Sequence, residues 1–201
     1  KNIKLLCGKP LIEHTALVIN QIEIIDTAVV STDSEEIGSI AESAGINFSF
    51  KRPVNLSGDF IGDWDVLNHA LIKCEKIYNK KFDIVLMLQP TSPLRTTEDI
   101  IGSVNYLIEN QLDAVWSMSP TDSKNHPLKQ FRIENDLLDY YDYAGNKIIA
   151  RQQLDTLYQK NGAVYVFTRD CILNQKTIYL RNQYVFFLYD VCSKLQQKHK
   201  A

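Results

Sequence analysis

The run Asp83–Leu88 (DIVLML) sets five apolar residues in a row before a polar turn. A strand with one face in water alternates apolar and polar residues, whereas an unbroken apolar run is covered on both faces. A central parallel strand is of this kind, and the surrounding pattern supplies helices to cover it. Residues 10–20 (PLIEHTALVIN) carry apolar positions at helical spacing, and Pro10 suits a helix start. Residues 27–31 (TAVVS) read as a short strand ending in Thr32-Asp33-Ser34, an N-cap cluster for a helix over 35–44 that Gly45 stops. Residues 46–50 read as a second strand. Residues 64–79 place Val66, Leu67, Ala70, Leu71, Cys74 and Ile77 on one helical face. A turn at 89–96 leads to a helix over 97–110 with Thr97 as N-cap, then a strand at 113–118 (DAVWSM). This alternation predicts an α/β fold with a mostly parallel sheet flanked by helices. Ligands of such sheets sit beyond the carboxyl ends of the strands, here the loops after Val30, Phe50 and Leu88.

The rhythm breaks at 119. Residues 119–160 are polar, tyrosine-rich and irregular, and Gly162–Phe167 (GAVYVF) then returns as a strand. The interruption reads as a lid or arm on a single domain spanning 1–201, with a last strand at 184–188 and a short polar helix after it. With 45% apolar and 23% charged residues, the chain is globular rather than disordered. A net charge of -2 provides no basic field, so a nucleic-acid partner is not expected. No apolar run approaches the roughly 18 residues of a membrane span. The cysteines at 7, 74, 171 and 192 form no CxxC pair and read as reduced thiols, which predicts a cytoplasmic location. Neither GxxxxGK nor GxGxxG occurs.

Several segments can carry chemistry. Gln89–Arg95 joins two prolines, two hydroxyls, an amide and a guanidinium directly after the buried strand. Pro90 and Pro93 stiffen it, so Gln89 and Arg95 are held either as site residues or as parts of an ordinary turn. Arg52-Pro53, followed by Leu56 and Asp59, is a strand-end cation or a surface loop. Ser31-Thr32-Asp33 is explained by capping alone. Arg151-Gln152-Gln153 and Asn161-Gly162 bracket Tyr158, and Asn-Gly before a strand is most often a turn. His126, in His126-Pro127-Leu128-Lys129, reads as a solvated histidine.

The order of these pieces is more specific than any one of them. Lys1-Asn2, Gly8-Lys9-Pro10-Leu11, Val30-Ser31-Thr32-Asp33, Arg52-Pro53 with Leu56, Leu88-Gln89-Pro90-Thr91-Ser92-Pro93-Leu94-Arg95, Arg151-Gln152 and Asn161-Gly162-Ala163-Val164-Tyr165 together resemble the CMP-sialic acid synthetases, the acylneuraminate cytidylyltransferases, over about residues 1–188. The resemblance implies a nucleotide-diphospho-sugar transferase-like α/β domain with a protruding arm that forms a homodimer. It implies attack of a sugar hydroxyl on the α-phosphate of CTP, assisted by Mg²⁺, to give a CMP-sugar and pyrophosphate. The sugar would be an N-acylneuraminate or related nonulosonate; legionaminate, pseudaminate and KDO transfer are the alternatives, as is a non-catalytic nucleotide-binding dimer.

Residue roles follow from the resemblance. Lys1, Gln89 and Arg151 would serve catalysis, and Asn2, Arg52, Asp59 and Asp63 would serve the nucleotide. Gln89 and Arg95 would stand on the sugar side or support that site, Lys129 and Arg151 would reach the sugar carboxylate across the dimer, and Tyr158, Tyr165, Phe186 and Phe187 would wall the acylamino pocket. The sequence departs from the family in three places. The glycine- and lysine-rich phosphate segment that precedes Lys-Asn in the family is not in it, which fits an incomplete record better than a truncated protein. The family's paired metal-binding aspartates are reduced to Asp190. Its small hydroxyl cluster after R-P-x-x-L is replaced by Phe60, Gly62 and Asp63.

Overall fold

The computed structural model describes residues 1–178 and 184–188. They divide into two compact units, Lys1–Ser117 with Gly162–Phe187, and one built on Met118–Asn161.

The first unit opens with a hairpin of β1 (Leu5–Leu6) and β2 (Lys9–Pro10). Its turn residues Cys7 and Gly8 both have positive φ, 50° and 79°, as the twist of a two-residue hairpin turn requires. Pro10 then starts α1 (Leu11–Ile19). The hairpin segment also serves the helix: Leu11 N and Ile12 N, unpaired within α1, donate to Lys4 O and Asn2 O at 3.0 Å each. α2 (Glu35–Ser43) is capped by Ser34, whose Oγ accepts from Ile37 N. Ile12 and Ala16 of α1 pack on Ala41 and Ile46, with Ala28 and Val30 against them. The strands expected at 27–31 and 46–50 shrink to one parallel bridge, Val29 to Asn47, because the chain turns into polar loops on both sides.

The remaining elements are α3 (Asp63–Tyr78), β3 (Ile84–Met87), α4 (Thr97–Glu109), β4 (Ala114–Pro120), β5 (Phe131–Glu134), β6 (Leu137–Tyr140), β7 (Tyr158–Thr168), α5 (Arg169–Leu173) and β8 (Tyr184–Leu188). Leu67, Leu71 and Cys74 of α3 are buried, whereas Ile77 is 47% exposed, so the apolar face ends a turn early. α4 is capped by Thr96, one residue before the expected Thr97. Thr96 Oγ1 accepts from Asp99 N, and the Asp99 carboxylate accepts from Thr96 N, a reciprocal pair that Thr97 is not placed to make.

The α/β layering is as expected, but strand direction is not uniform. The sheet runs β3-β7-β4-β8, and β3 pairs with β7 antiparallel, Ile84 opposite Thr168. Thr168 N donates to Asp113 O, and Thr121 N to Leu157 O, so β7 also runs against β4. β3 and β4 are thus mutually parallel with β7 reversed between them. The reason is topological: β4 leads into the interruption and β7 returns from it, and a chain that turns back beside its own strand pairs antiparallel. The core of this sheet is aromatic. Trp116 lies 4.6 Å from Tyr165 and 5.6 Å from Phe167, centroid to centroid. In the second unit, β5 and β6 form a hairpin whose turn residues Asn135 and Asp136 have φ of 52° and 61°.

One ion pair ties α3 to the start of α5. Glu75 accepts from Arg169 Nε at 2.7 Å and Nη2 at 3.0 Å, and from Phe82 N at 3.3 Å. The Arg169 hydrogen bonds, then that from Phe82 and the charges of Arg169 and Lys81, hold the Glu75 carboxyl below its ordinary range against the opposing effect of burial. A depressed carboxylate pKa stabilises the fold above the unfolded pKa, and this is lost as pH falls through the folded one. Glu75→Gln should lower the thermal midpoint by roughly 2–4 °C at pH 7. The difference should close as pH falls below the ordinary carboxylate range, read from paired melts at neutral and acid pH.

Candidate functional site

The loop after β3 closes on β7 through a buried guanidinium. Arg95 is 3% exposed. Its Nε donates to Ala163 O, its Nη2 to Gln89 O at 2.7 Å and Gly162 O at 3.4 Å, and its Nη1 to Thr15 Oγ1 of α1 at 3.3 Å. A fork of donors in fixed geometry suits this scattered set of acceptors. The backbone adds to the closure: Gln89 N donates to Gly162 O, and Ser92 N to Gln89 O. The side chain of Gln89 lies across Gly162. A Cβ at Gly162, where φ is +72°, would press against Gln89 Oε1. Gly162 N in turn donates to Tyr165 Oη at 2.8 Å. Two segments that stand far apart in sequence, Gln89–Arg95 and Gly162–Tyr165, thus form one structure at the carboxyl end of β3.

This geometry gives Arg95 the supporting one of its two implied roles and places Tyr165 away from the pocket wall implied for it. Arg95 faces the interior and braces the loop; it is not presented to a ligand. Tyr165 is 3% exposed, inside the sheet core, because β7 is buried at successive positions from Ala163 to Phe167, covered on both faces. Tyr158, at the outer end of β7, is 38% exposed. Gln89 is half-buried.

The loops after the first two strand segments also meet. Arg52 N donates to Thr32 O at 2.9 Å, and Arg52 Nε to Ser57 Oγ at 3.3 Å. Ser31 Oγ is buried there without a hydrogen-bond partner. His69 of α3 joins this group, although sequence reading missed it. Phe50 sets its ring edge against the imidazole, 5.5 Å between centroids, and His69 Nδ1 is buried and unpartnered. Burial, then the charges of Lys73 and Arg52, lower the His69 pKa, so the ring is neutral at pH 7. His69 stands two residues from both Leu67 and Leu71, off their helical face, so apolar periodicity gave no signal for it. Asp63 is half-buried in the first turn of α3, and Asp59 is exposed. Lys1 is exposed, and Asn2, half-buried, spends its carbonyl on α1.

The second unit contains a recess of about 170 Å³ lined by Thr121, Ser123, His126, Arg151, Asp155 and Thr156. Short 3₁₀ turns shape it, Ser123–Asn125, Pro127–Lys129 and Arg151–Gln153. Gln153 Oε1 accepts from Ile149 N and Ala150 N at 2.8 Å each, which fixes the backbone entering Arg151. His126, expected in solvent, is 6% exposed, because the proline after it starts a tight turn that its Nδ1 caps. Lys129 is half-buried at the end of that turn.

Phe186 and Phe187 lie on β8, whose side chains are outside the described residues, as is Asp190. Among the described residues, no three of His, Cys, Asp and Glu cluster so as to hold a metal ion. Cys7, Cys74 and Cys171 are free thiols, and no described helix is long and apolar enough to cross a membrane.

The sequence profile of the family described as "Cytidylyltransferase" matches residues 1–200. The N-acylneuraminate cytidylyltransferase of Escherichia coli O18:K1:H7 is 30% identical over 94% of this chain, which spans 43% of that protein's length. The CMP-N,N'-diacetyllegionaminic acid synthase of Legionella pneumophila is 31% identical over 89% of this chain and 75% of its own. A CMP:2-keto-3-deoxy-manno-octonic acid synthetase solved in complex with CTP superposes with a TM-score of 0.63, covering 100% of this chain and 90% of its own. At 12% identity, that likeness shows the fold alone.

Arg95→Lys keeps the charge but cannot reach the same acceptors. Each buried carbonyl left without a donor costs about 1–3 kcal/mol. The variant should lose at least that much in denaturant unfolding, with the m-value unchanged.

Proposed function

The chain belongs to the cytidylyltransferase family, and from that premise we propose that it transfers the cytidylyl group of CTP to an acidic sugar of the nonulosonate type. A sugar hydroxyl attacks the α-phosphorus of CTP. A P–O bond forms to the sugar oxygen, the bond between the α- and β-phosphates breaks, pyrophosphate leaves, and the hydroxyl proton passes to solvent or a base. Such transfer depends on positioning and charge neutralisation rather than on a covalent intermediate.

The observation that carries this reading is the closure of the Gln89–Arg95 loop on Gly162 and Ala163 at the carboxyl end of β3, where α/β sheets hold their ligands. It supports Gln89 as the residue that orients the sugar, with Arg95 as its brace. Arg52, close to His69, and Asn2 are assigned to the nucleotide, with Lys1 near its phosphates; Asp59 and Asp63 are weaker members of that set. Lys129 and Arg151, both in the second unit, are assigned to the sugar carboxylate. The names of the E. coli and Legionella relatives support an acidic nine-carbon substrate.

Mg²⁺ is part of the proposal by family resemblance alone, and no step is assigned to it. A cytoplasmic homodimer completes the reading. It is supported by the β5–β6 hairpin, on which Phe131, Ile133, Leu137 and Leu138 are 50%, 73%, 72% and 66% exposed. Apolar side chains so far out of any core suit a second copy of the chain, and sedimentation should then read twice the chain mass.

Pyrophosphate release from CTP, measured with N-acetylneuraminate, legionaminate, pseudaminate and KDO in turn, tests the activity. One nonulosonate should support turnover, and Gln89→Ala should cut its kcat by roughly 10²–10³. CTP binding without turnover on every sugar would contradict the reading.

A further inference from the structure

α1 carries one residue that packing alone does not explain. The helix buries Ile12, Thr15 and Ala16 on one face, and Thr15 is 4% exposed. Valine has nearly the same shape and brings no polar atom, whereas a buried hydroxyl is costly unless it is hydrogen-bonded. The Thr15 Oγ1 accepts from Arg95 Nη1, eighty residues away in sequence, at 3.3 Å.

The same stretch of helix holds the segment that begins at Lys1. Leu11 N donates to Lys4 O and Ile12 N to Asn2 O, at 3.0 Å each, and Lys4 N donates to Lys1 O at 3.1 Å. Ile12 and Thr15 stand about 4.5 Å apart along the helix axis. Two segments assigned above to different substrates therefore hang from one turn of α1: residues 1–4 on the nucleotide side, and Gln89–Arg95 on the sugar side. We infer that α1 is the common mount of the two half-sites and that Thr15 is the positioning residue that ties the sugar loop to it. The inference rests on the proposed transfer from CTP to an acidic sugar, and it concerns a side chain too deeply buried to touch either substrate.

Transfer between two bound substrates depends on the distance between them. Reacting atoms must approach to about 3–3.5 Å, and a misplacement of about 1 Å can cost on the order of 10²-fold in rate. A helical turn closed by its own hydrogen bonds is a stiff reference for two irregular segments. The bonds of Arg95 divide accordingly. Those to Gln89 O, Gly162 O and Ala163 O close the loop on β7, whereas the one to Thr15 sets the loop against the residues that start the chain. A loop released from α1 alone keeps its own shape and loses its register to the nucleotide side. The loss then falls on kcat, while each substrate keeps its own contacts.

Thr15→Val removes the hydroxyl and keeps the branched shape. With the panel sugar that turns over best, its kcat should fall about tenfold or more. The KM values for CTP and for the sugar should stay native. Calorimetric titration with CTP should find the same number of sites per chain as in the unaltered protein, which separates slow enzyme from unfolded enzyme. Thr15→Ala, which lacks the hydroxyl and adds no bulk, should behave in the same way. Thr15→Ser returns the hydroxyl and should restore most of kcat. A native kcat in Thr15→Val, a rise in either KM, or a loss that Thr15→Ser leaves unrestored would overturn the assignment.

A second readout does not need turnover. CTP alone should slow amide hydrogen exchange in residues 1–12 and, through α1, in residues 88–96. In Thr15→Val the first protection should remain and the second should be lost. If both results hold in a chain that transfers no cytidylyl group to any sugar, the mount stands and the proposed reaction fails. If turnover is normal and the protection of 88–96 survives in Thr15→Val, the mount fails and the reaction stands. CTP that protects neither segment would contradict both.

Discussion

A guanidinium taken out of water must replace its hydration with acceptors held in place, and Arg95 draws them from three separate segments. Its own loop supplies Gln89 O, β7 supplies Gly162 O and Ala163 O, and α1 supplies Thr15 Oγ1. The cost of burying the charge is offset only while all of these stay in register. Loop, strand and helix are therefore coupled: movement of one strands donors or acceptors on the others. The same closure favours Gly162, whose φ of +72° strains any L side chain and whose Cβ would displace the Gln89 amide.

That coupling gives the polar loop a defined shape without regular secondary structure. Pro90 and Pro93 restrict the backbone, the Arg95 network closes it, and the aromatic packing of Trp116, Tyr165 and Phe167 fixes the β7 end. Tyr165 links the two parts, its ring in the core and its hydroxyl accepting from Gly162 N. The arm follows a different principle. Its turns are held by local caps at Asp122, His126 and Asp142, so its polar side chains depend on short-range hydrogen bonds. In one of them this arrangement leaves an imidazole nitrogen buried without a partner.

Much of the fold was legible because its signals are local. The helices at 11–19, 35–43, 63–78 and 97–109 were marked by Pro10, Ser34 and Gly45, and by apolar spacing. What was not legible depends on contacts distant in sequence. The reversed direction of β7 follows from the excursion that precedes it, which strand composition does not encode. Arg95 reads as an exposed loop cation until its acceptors in β7 and α1, about seventy and eighty residues away, are known. His126 reads as solvated because one lone histidine gives no indication of the turn that buries it. The companionship of Gln89–Arg95 with Gly162–Tyr165 was visible only as order along the chain, and its physical cause is the guanidinium.

The central claim is that Arg95 acts on the reaction only by holding Gln89 in place. A double-mutant cycle on the kcat of CMP-sugar formation tests it most directly, comparing Arg95→Lys, Gln89→Ala and the two combined. If Arg95 works through Gln89, the combined variant should be no slower than the slower of the two single variants. Multiplication of the two effects would contradict the claim and make Arg95 an independent contributor.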